Sequence, residues 1–359
     1  MKEGLLFYPG SGGKDSEGDE YKRLPIEKVR YLADKRKKGA VEFRQDGFVK
    51  LYGEKQVEAD RQWVIRKRKQ FAEKMEEDLI KKNIPAVRRP KMREIAEAQK
   101  DFSSAFEYSL GHLAEYGNWF GKGVFFMLTS EYDDFRGVDA IAEATTKGEA
   151  GTVKQPLSID VTRAYVPQAD YTKAEEEFLS QNGVIDKLRT TLAVIGGKET
   201  REVKYFSSGK AGEKHFERLM DIIPIVVALE PARAMELVRQ VARSRELLDI
   251  DPKTTGRART ETENVELREL RAQFTNNPLQ MVVLREIETQ LAFFRDLLAT
   301  SNHARVQIML TAVEGGLKHV RASTAEKERL FAGKKIPSDQ SASEIMHWIS
   351  DMRASRKVA

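Results

Sequence analysis

Two aspartates stand at positions where neighbouring strands of one sheet would bring them together. Asp139 lies at the start of an apolar segment, and Asp160 lies in the alternating segment at residues 157–162. If these strands pair across the polar, glycine-bearing hairpin at residues 147–151, the two carboxylates converge. Carboxylates that meet beside a buried strand repel each other unless a cation or a proton lies between them. The spacing therefore predicts a site for a hard, oxygen-preferring cation, Mg²⁺ or Mn²⁺.

The elements before this pair supply further acids. A predicted helix that begins near residue 101 carries Glu107 and Glu115, and the strand after it, at residues 123–129, is apolar throughout. That strand leads into the acidic turn at residues 131–134. The order of helix, buried strand and acidic turn predicts a compact frame around the two aspartates.

The elements after the pair complete an α/β pattern. Because alternate residues of a strand share a face, Thr162 points with Asp160 and Arg163 points the other way. Hydrophobic spacing then predicts four more elements. They are a helix at 173–192 interrupted near 182–183, a strand at 201–206, a helix at 212–221 and a buried strand at 222–229. A strand, helix, strand order implies a crossover and hence a parallel pair in a mixed sheet.

This order of elements resembles the core of the PD-(D/E)xK nuclease superfamily, over about residues 101–230. The resemblance implies an α/β fold of the restriction-endonuclease-like type, with a mixed sheet flanked by helices. It also implies Mg²⁺-dependent (or Mn²⁺-dependent) hydrolysis of phosphodiester bonds in DNA. In the family two acids and a backbone carbonyl hold the metal, here Asp139, Asp160 and Val161, with Glu115 as the acid from the helix. Glu107 is the alternative for that helix-borne acid.

The chain departs from the family pattern at two positions. Val138 precedes Asp139 where the family has proline, which changes no metal ligand. Thr162 stands where the family has its lysine, and an uncharged side chain cannot stabilise a pentacoordinate phosphate. In some family members the lysine comes from the next helix, where Lys187 is the best candidate; Lys154 and Lys204 are the others. The alternative is a catalytically silent nuclease-like fold that serves as a nucleic-acid-binding or assembly module.

Positive charge is concentrated in one stretch of the chain. Residues 61–93 contain twelve lysines and arginines against four acids, a net charge of +8, whereas the whole chain carries +5. Such a helical stripe can lie along phosphates and release their counterions. The predicted nucleic-acid contacts are Arg61, Arg66, Lys67, Arg68 and Lys69. The alternative is a solvated helix face laced with charges.

Other signals exclude several classes of chemistry. There is no cysteine, so disulfides and thiolate zinc sites are excluded, and a cytoplasmic setting fits best. The five histidines lack metal-ligand spacing, and no Gly-x-Ser-x-Gly motif is present. Residues 11–16 resemble the PP-loop of ATP pyrophosphatases, but an acidic segment follows instead of an apolar helix, so we expect a chance match. The longest apolar run, 222–229, is too short to span a bilayer.

Five segments are predicted in chain order. They are a mobile tail (1–25), a helix, β-hairpin and basic helical arm (26–98), the PD-(D/E)xK-like core (99–248), a linker (249–260) and an α-helical domain (261–359). The hairpin is predicted from Asp46-Gly47, and a helix from Pro231 to Leu248 closes the core. In the last segment, apolar residues recur at spacings of three and four from Leu284 to Leu298. We expect this seam to pack internally; the alternative is a homodimer interface. A capping box beginning at Ser341 predicts the last helix.

Overall fold

A computed structural model of the chain describes residues 5–6, 24–42, 44–122, 124–148, 151–163, 172–179, 184–195, 201–208, 215–300 and 304–357. It confirms a mixed α/β protein. The helices are α1 (Ile26–Gly39), α2 (Asp46–Tyr52), α3 (Glu54–Lys81), α4 (Arg89–Gly117), α5 (Glu131–Asp134), α6 (Lys173–Leu179), α7 (Val184–Ile195), α8 (Pro231–Leu248), α9 (Pro252–Thr255), α10 (Glu261–Thr275), α11 (Leu279–Leu298), α12 (Ala304–Leu330) and α13 (Gln340–Lys357). The strands are β1 (Leu5–Leu6), β2 (Leu24–Pro25), β3 (Val124–Leu128), β4 (Ala140–Gly148), β5 (Gly151–Arg163), β6 (Val203–Ser208), β7 (His215–Leu219) and β8 (Ile223–Leu229).

The central sheet has four strands in the order β3-β4-β5-β8. The first three form an antiparallel meander in which Gly148 pairs with Gly151, so the predicted hairpin at 147–151 is confirmed. β8 then lies parallel to β5, and the chain between them passes through α6 and α7. A parallel neighbour requires such a crossover. The predicted parallel pair is therefore present, but it is formed by β8 and not by the strand at 201–206.

The two faces of the sheet bury different partners. One face, with Ala142, Leu157 and Ile159, packs against α11 and α12. The opposite face, with Met127 and Ile141, belongs to a second apolar cluster that includes the β6–β7 hairpin, α2 and the start of α3. By strand alternation, Asp139 and Asp160 belong to this second face. The second cluster thus positions the surroundings of the two aspartates.

The C-terminal helices share the main core with the sheet. Leu284, Leu291 and Val313 lie in the same buried cluster as Ile225 and Val227 of β8. The predicted seam therefore packs internally, and residues 261–359 are not a separate helical domain. The sequence missed this because periodicity shows that a helix face is apolar and does not show what covers it. A homodimer through these helices stays a prediction.

Side chains of α11 cover the open edge of β8. The Gln290 amide accepts a hydrogen bond from the Val226 N–H (2.9 Å) and donates one to the Val226 carbonyl (2.7 Å). Glu286 accepts from the Ala228 N–H at 3.3 Å. An edge strand presents unpaired backbone groups that template further pairing. Two polar side chains of one helix satisfy these groups, which explains why α11 buries polar residues inside an apolar core.

Two local predictions are wrong because contacts outside the segment decide the structure, and the start of one helix is shifted. Asp46-Gly47 begins α2 and not a β-hairpin. A Cβ on Gly47 would lie 2.2 Å from the Phe216 ring, so this glycine permits close packing instead of a turn. The helix predicted at 212–221 is replaced by β7, which pairs with β6. The predicted last helix is present, but it begins at Gln340, before the predicted cap residue Ser341, and Asp339 accepts the N–H of Ala342.

The predicted segment boundaries also shift. α4 runs through the boundary placed at 98/99, and the predicted linker at 249–260 contains the short helix α9. The PP-loop-like string at 11–16 and most of the predicted mobile tail at 1–25 lie outside the described residues. The helix from Pro231 to Leu248 is confirmed residue for residue.

Glu286 gives the fold a pH dependence that can be measured. Burial raises the pKa of Glu286 well above its ordinary range, with Asp339 adding to the rise. The folded state therefore keeps a proton that the unfolded chain loses above about pH 4.3, so Glu286 lowers stability as pH rises beyond that value. The slope it contributes approaches about 1.4 kcal/mol per pH unit. We expect Glu286→Gln to be more stable than the wild type at pH 8 and similar to it at pH 4, measured by urea unfolding.

Glu288 provides the matched control on the same helix. Its carboxylate pairs with Arg321 at 3.1 Å near the surface. Glu288→Gln should leave the pH dependence of the unfolding free energy unchanged. An identical pH profile for Glu286→Gln and the wild type would show that Glu286 is not held protonated.

Candidate functional site

The pairing register of β4 and β5 brings Asp139 and Asp160 together. Ala140 pairs with Ile159, so Asp139 lies opposite Asp160, one residue beyond that pair. The Val161 N–H donates to Asp139 Oδ2 at 2.8 Å. Asp139 and Asp160 are 7% and 6% exposed. The predicted convergence of the two carboxylates is present in the structure, at a buried position.

Lys187 supplies a cation to this pair. It lies in α7, the crossover helix, and its Nζ donates to Asp160 Oδ1 and, at 2.8 Å, to the Val161 carbonyl. The same Nζ lies 3.8 Å from Asp139 Oδ2. Burial alone would lower the pKa of Lys187, but Asp160 and Asp139 outweigh it and hold the pKa above its ordinary value. Three oxygens thus surround one positive charge.

A second buried ion pair adjoins the first. Arg36 of α1 donates from Nε to Glu107 Oε2 of α4 at 2.9 Å, and its Nη2 lies 3.1 Å from Asp134 Oδ2. Arg36 and Glu107 are both buried. From another direction, Arg201 places Nη1 4.0 Å from Asp160 Oδ2. These contacts join α1, α4, α5 and β5 around one charged centre.

The acidic turn at 131–134 is held by its third residue. Asp133 accepts hydrogen bonds from the Lys204 N–H (2.8 Å), the Tyr205 N–H (3.2 Å) and the Ser130 hydroxyl (2.7 Å). Burial nevertheless raises its pKa to about 6, against the effect of these bonds. The turn that carries Asp134 is therefore fixed to β6.

The charged centre has more acids than bases. Its four carboxyl groups face three basic side chains; the acids are Glu107, Asp134, Asp139 and Asp160, and the bases are Arg36, Lys187 and Arg201. Burial raises the pKa of Asp160 to about 7, Asp139 adds to the rise, and Lys187 and Arg201 oppose it. Burial, Asp139 and Asp134 also raise the pKa of Glu107 well above its ordinary range. Burial is the main cause of both shifts, and the neighbouring carboxyl groups add to them. The centre thus places four carboxyl groups and three cations in a largely buried position.

The helix-borne acid is not the one chosen from the sequence. Glu115 is exposed on α4, whereas Glu107 is buried and acts electrostatically on Asp139. Eight residues separate the two glutamates, about 12 Å along a helix. Glu115 is therefore corrected to Glu107, the alternative. The sequence offered no signal for this choice, because both glutamates suit a helix surface.

The structure shows which of the lysine candidates reaches the two aspartates. Lys187 reaches the aspartates, whereas the Lys204 ammonium donates to Asp60 of α3 on the other side of the acidic turn. The side chains of Lys154 and Thr162 lie outside the described residues. Arg36 was missed, because nothing in the sequence links it to a glutamate 71 positions away.

The predicted nucleic-acid contacts all lie on α3, and most have partners. Arg61 lies 3.5 Å from Glu58, Lys69 lies 3.7 Å from Glu73, and Arg68 forms a two-pronged ion pair with Glu131 of the acidic turn. Lys67 Nζ lies 5.5 Å from the centroid of the Trp63 ring. Arg66 is exposed. Arg68 therefore connects the basic helix to the turn beside the carboxylates.

Comparisons of the chain with protein-family models, curated proteins and solved structures find no significant match. Among the described residues, no cluster of three His, Cys, Asp or Glu side chains is arranged to hold a metal ion. Within the same part of the chain, no helix is both long enough and apolar enough to cross a membrane. The function must therefore be argued from the geometry of the charged centre.

Proposed function

We propose that this protein is a Mg²⁺-dependent (or Mn²⁺-dependent) nuclease that hydrolyses phosphodiester bonds in DNA. The observation that carries the proposal is the position of Lys187 Nζ. It is bonded to Asp160 and the Val161 carbonyl and lies 3.8 Å from Asp139, so three oxygens already hold a cation at one point. Oxygen donors of this kind are those that Mg²⁺ prefers.

The order of the elements supports the same proposal. α4 is followed by the antiparallel meander β3-β4-β5, then by the α7 crossover and the parallel strand β8. This arrangement agrees with the PD-(D/E)xK resemblance, in which the acids lie on the second and third strands. A restriction-endonuclease-like core is accordingly part of the proposal.

The donor set fits a divalent ion with two carboxylates and one carbonyl. Asp139, Asp160 and the Val161 carbonyl would hold it, and such an ion lowers the pKa of bound water and offsets charge on a phosphate. Lys187 supplies the positive charge that Thr162 lacks; its ammonium can neutralise a phosphate oxygen or orient the attacking water. Arg36 holds Glu107 in place through the 2.9 Å bond from its Nε, and Glu107 acts electrostatically on Asp139.

A catalytically silent fold that binds nucleic acid is the second candidate. Lys187 Nζ already donates to two of the three oxygens that the metal would use. If that ammonium is not displaced, the site stays closed by its own lysine. Metal binding and DNA nicking, measured together, separate the two candidates.

The test compares wild type with Asp139→Asn and with a control on α7. Asp186 is exposed and pairs with Arg189, so Asp186→Asn preserves the site while removing one nearby charge. Titration calorimetry should detect Mn²⁺ binding by wild type and Asp186→Asn. Asp139→Asn should bind Mn²⁺ at least about 10- to 100-fold more weakly. That is the usual loss of metal affinity when even a hydrogen-bond partner of a metal ligand is removed. Supercoiled DNA should be nicked by the first two proteins only.

Two results would contradict the proposal. Absence of Mn²⁺ binding by wild type at millimolar concentration would remove the metal site. Metal binding that Asp139→Asn abolishes, without nicking by any variant, would favour the silent fold.

A further inference from the structure

The middle of α3 is largely exposed to solvent in the described part of the structure. Of residues 65–74, nine are exposed and one, Lys67, is half-buried, although this segment makes nearly three helical turns. The helix is anchored at both ends: Val57 and Val64 lie in the cluster with β6, and Leu79 lies in a small cluster with Phe178 of α6. Within the described residues, the partners of this segment outside α3 are charged side chains such as Glu131 and Lys100, so apolar packing does not explain its exposed apolar residues. We call residues 65–74 the bridge segment.

The bridge segment carries an exposed aromatic ring among cations. Phe71 is 49% exposed, and Lys100 of α4 places its Nζ 5.2 Å from the ring centroid. Three cations lie on the same side of the helix as Phe71. Lys67 and Arg68 precede it by four and three residues, and Lys74 follows it by three. Among the described residues Phe71 belongs to no buried apolar cluster, so the exposed half of the ring costs hydrophobic free energy. An aromatic ring ringed by cations is the combination that binds a base and its phosphates.

The ring also lies close to the charged centre. Lys100, which contacts Phe71, acts electrostatically on Asp134, and Asp134 pairs with Arg36. Arg68, on the bridge segment itself, binds Glu131 of the same acidic turn. A strand that follows the bridge segment therefore arrives beside the carboxylates.

We propose that the bridge segment binds single-stranded nucleic acid, with one unpaired base stacked on Phe71 and phosphates on the surrounding cations. This rests on the proposed nuclease function and specifies its substrate: DNA with a single-stranded segment. A duplex buries the faces of its bases by stacking, so it offers Phe71 no base face. Only an unpaired base can use this ring, which makes the choice between single and double strands a property of one residue.

A membrane surface fits the bridge segment poorly. Ile65 and Phe71 are its exposed apolar side chains, 45% and 49% exposed. Six residues apart, they point about 120° away from each other around the helix. A helix that lies in a membrane interface needs its apolar residues on one face.

The experiment measures binding without cleavage, in EDTA. Fluorescence anisotropy compares a labelled 20-nucleotide oligo(dT) with a duplex of the same length, for wild type, Phe71→Ala, Phe71→Trp and the control Ile65→Ala. Removing one stacked base costs about 1–3 kcal/mol, so Phe71→Ala should weaken oligo(dT) binding about 5- to 150-fold. Phe71→Trp should bind as tightly as wild type, and Ile65→Ala and duplex binding should change less than about twofold.

Several outcomes would overturn the inference. The first is that Phe71→Ala loses as much affinity for duplex as for oligo(dT), and the second is that it loses no affinity for oligo(dT). The third is that anionic phosphatidylserine vesicles displace oligo(dT) from Phe71→Ala and from wild type equally well. Because Phe71 and Ile65 are both exposed and binding is measured without metal, misfolding and loss of catalysis do not confuse the readout. If Phe71→Ala loses oligo(dT) while no Mn²⁺ binding is found, the nuclease proposal fails and the stacking site stands. If Phe71→Ala retains metal-dependent nicking and its oligo(dT) binding is unchanged, the stacking site fails and the nuclease proposal stands.

Discussion

Lys187→Met should destabilise the metal-free protein by about 3–5 kcal/mol, the usual cost of removing one partner of a buried ion pair. The ammonium donates to Asp160 and Val161 and lies 3.8 Å from Asp139, and both aspartates are buried. Without it, the two facing carboxylates keep only weaker partners among the described cations: Arg201, 4.0 Å from Asp160, and Arg36, which acts electrostatically on Asp139. Methionine keeps most of the side-chain volume, so the loss reports charge and not a cavity. Urea unfolding in EDTA at pH 8, above the raised pKa of about 7 of Asp160, measures the effect.

The same variant separates metal binding from catalysis. Added Mn²⁺ should restore much of the stability of Lys187→Met, since a ligand that binds only the folded state stabilises it. Nicking of supercoiled DNA should nevertheless fall by about 10²–10³-fold, the loss found when one charge-stabilising group is removed. The double variant Lys187→Met/Asp160→Asn should recover stability without metal, because the uncompensated charge is gone. Unchanged stability of Lys187→Met would show that the ammonium does not neutralise the pair.

Leu291→Ala should destabilise the protein by about 2–5 kcal/mol, the range for truncating a buried leucine. Leu291 is fully buried on α11, within reach of α12, where a Cβ on Gly316 would lie 3.5 Å from its Cδ1. Truncation leaves a cavity between the helices and the sheet. Denaturant unfolding gives the free energy.

Ile308 of α12 serves as the comparison, since it is 64% exposed. Ile308→Ala should change stability by less than about 0.5 kcal/mol, as expected for an exposed position. Equal effects of the two substitutions would mean that the apolar seam of α11 is not buried.

Elements with strong local signals could be predicted from the sequence. Pro231 can begin a helix because its missing N–H is not needed in the first turn, and α8 begins there. The continuous apolar run at 222–229 predicted a buried strand, and β8 is buried along its whole length. In both cases the signal lies within the element itself.

The failures have a common physical cause. Gly47 was interpreted as a turn residue, but its lack of a side chain serves the ring of Phe216, 169 positions later. Glu107 and Glu115 are equivalent on a helical pattern, and only the position of Arg36 distinguishes them. Lys187 could be proposed only through the family resemblance, in which the helix after the strand can supply the lysine. Contacts between distant parts of the chain decide what local patterns leave open.

The cover over β8 has a consequence for synthesis and truncation of the chain. The sheet is complete in sequence at Leu229, but the groups that close its edge belong to Glu286 and Gln290 of α11. A nascent or truncated chain that ends near the linker at 249–260 therefore displays an unpaired strand of apolar residues, a template for association with other chains. Helix α11 thus protects the edge of the sheet from pairing with other chains. The isolated core is expected to aggregate where the full chain does not.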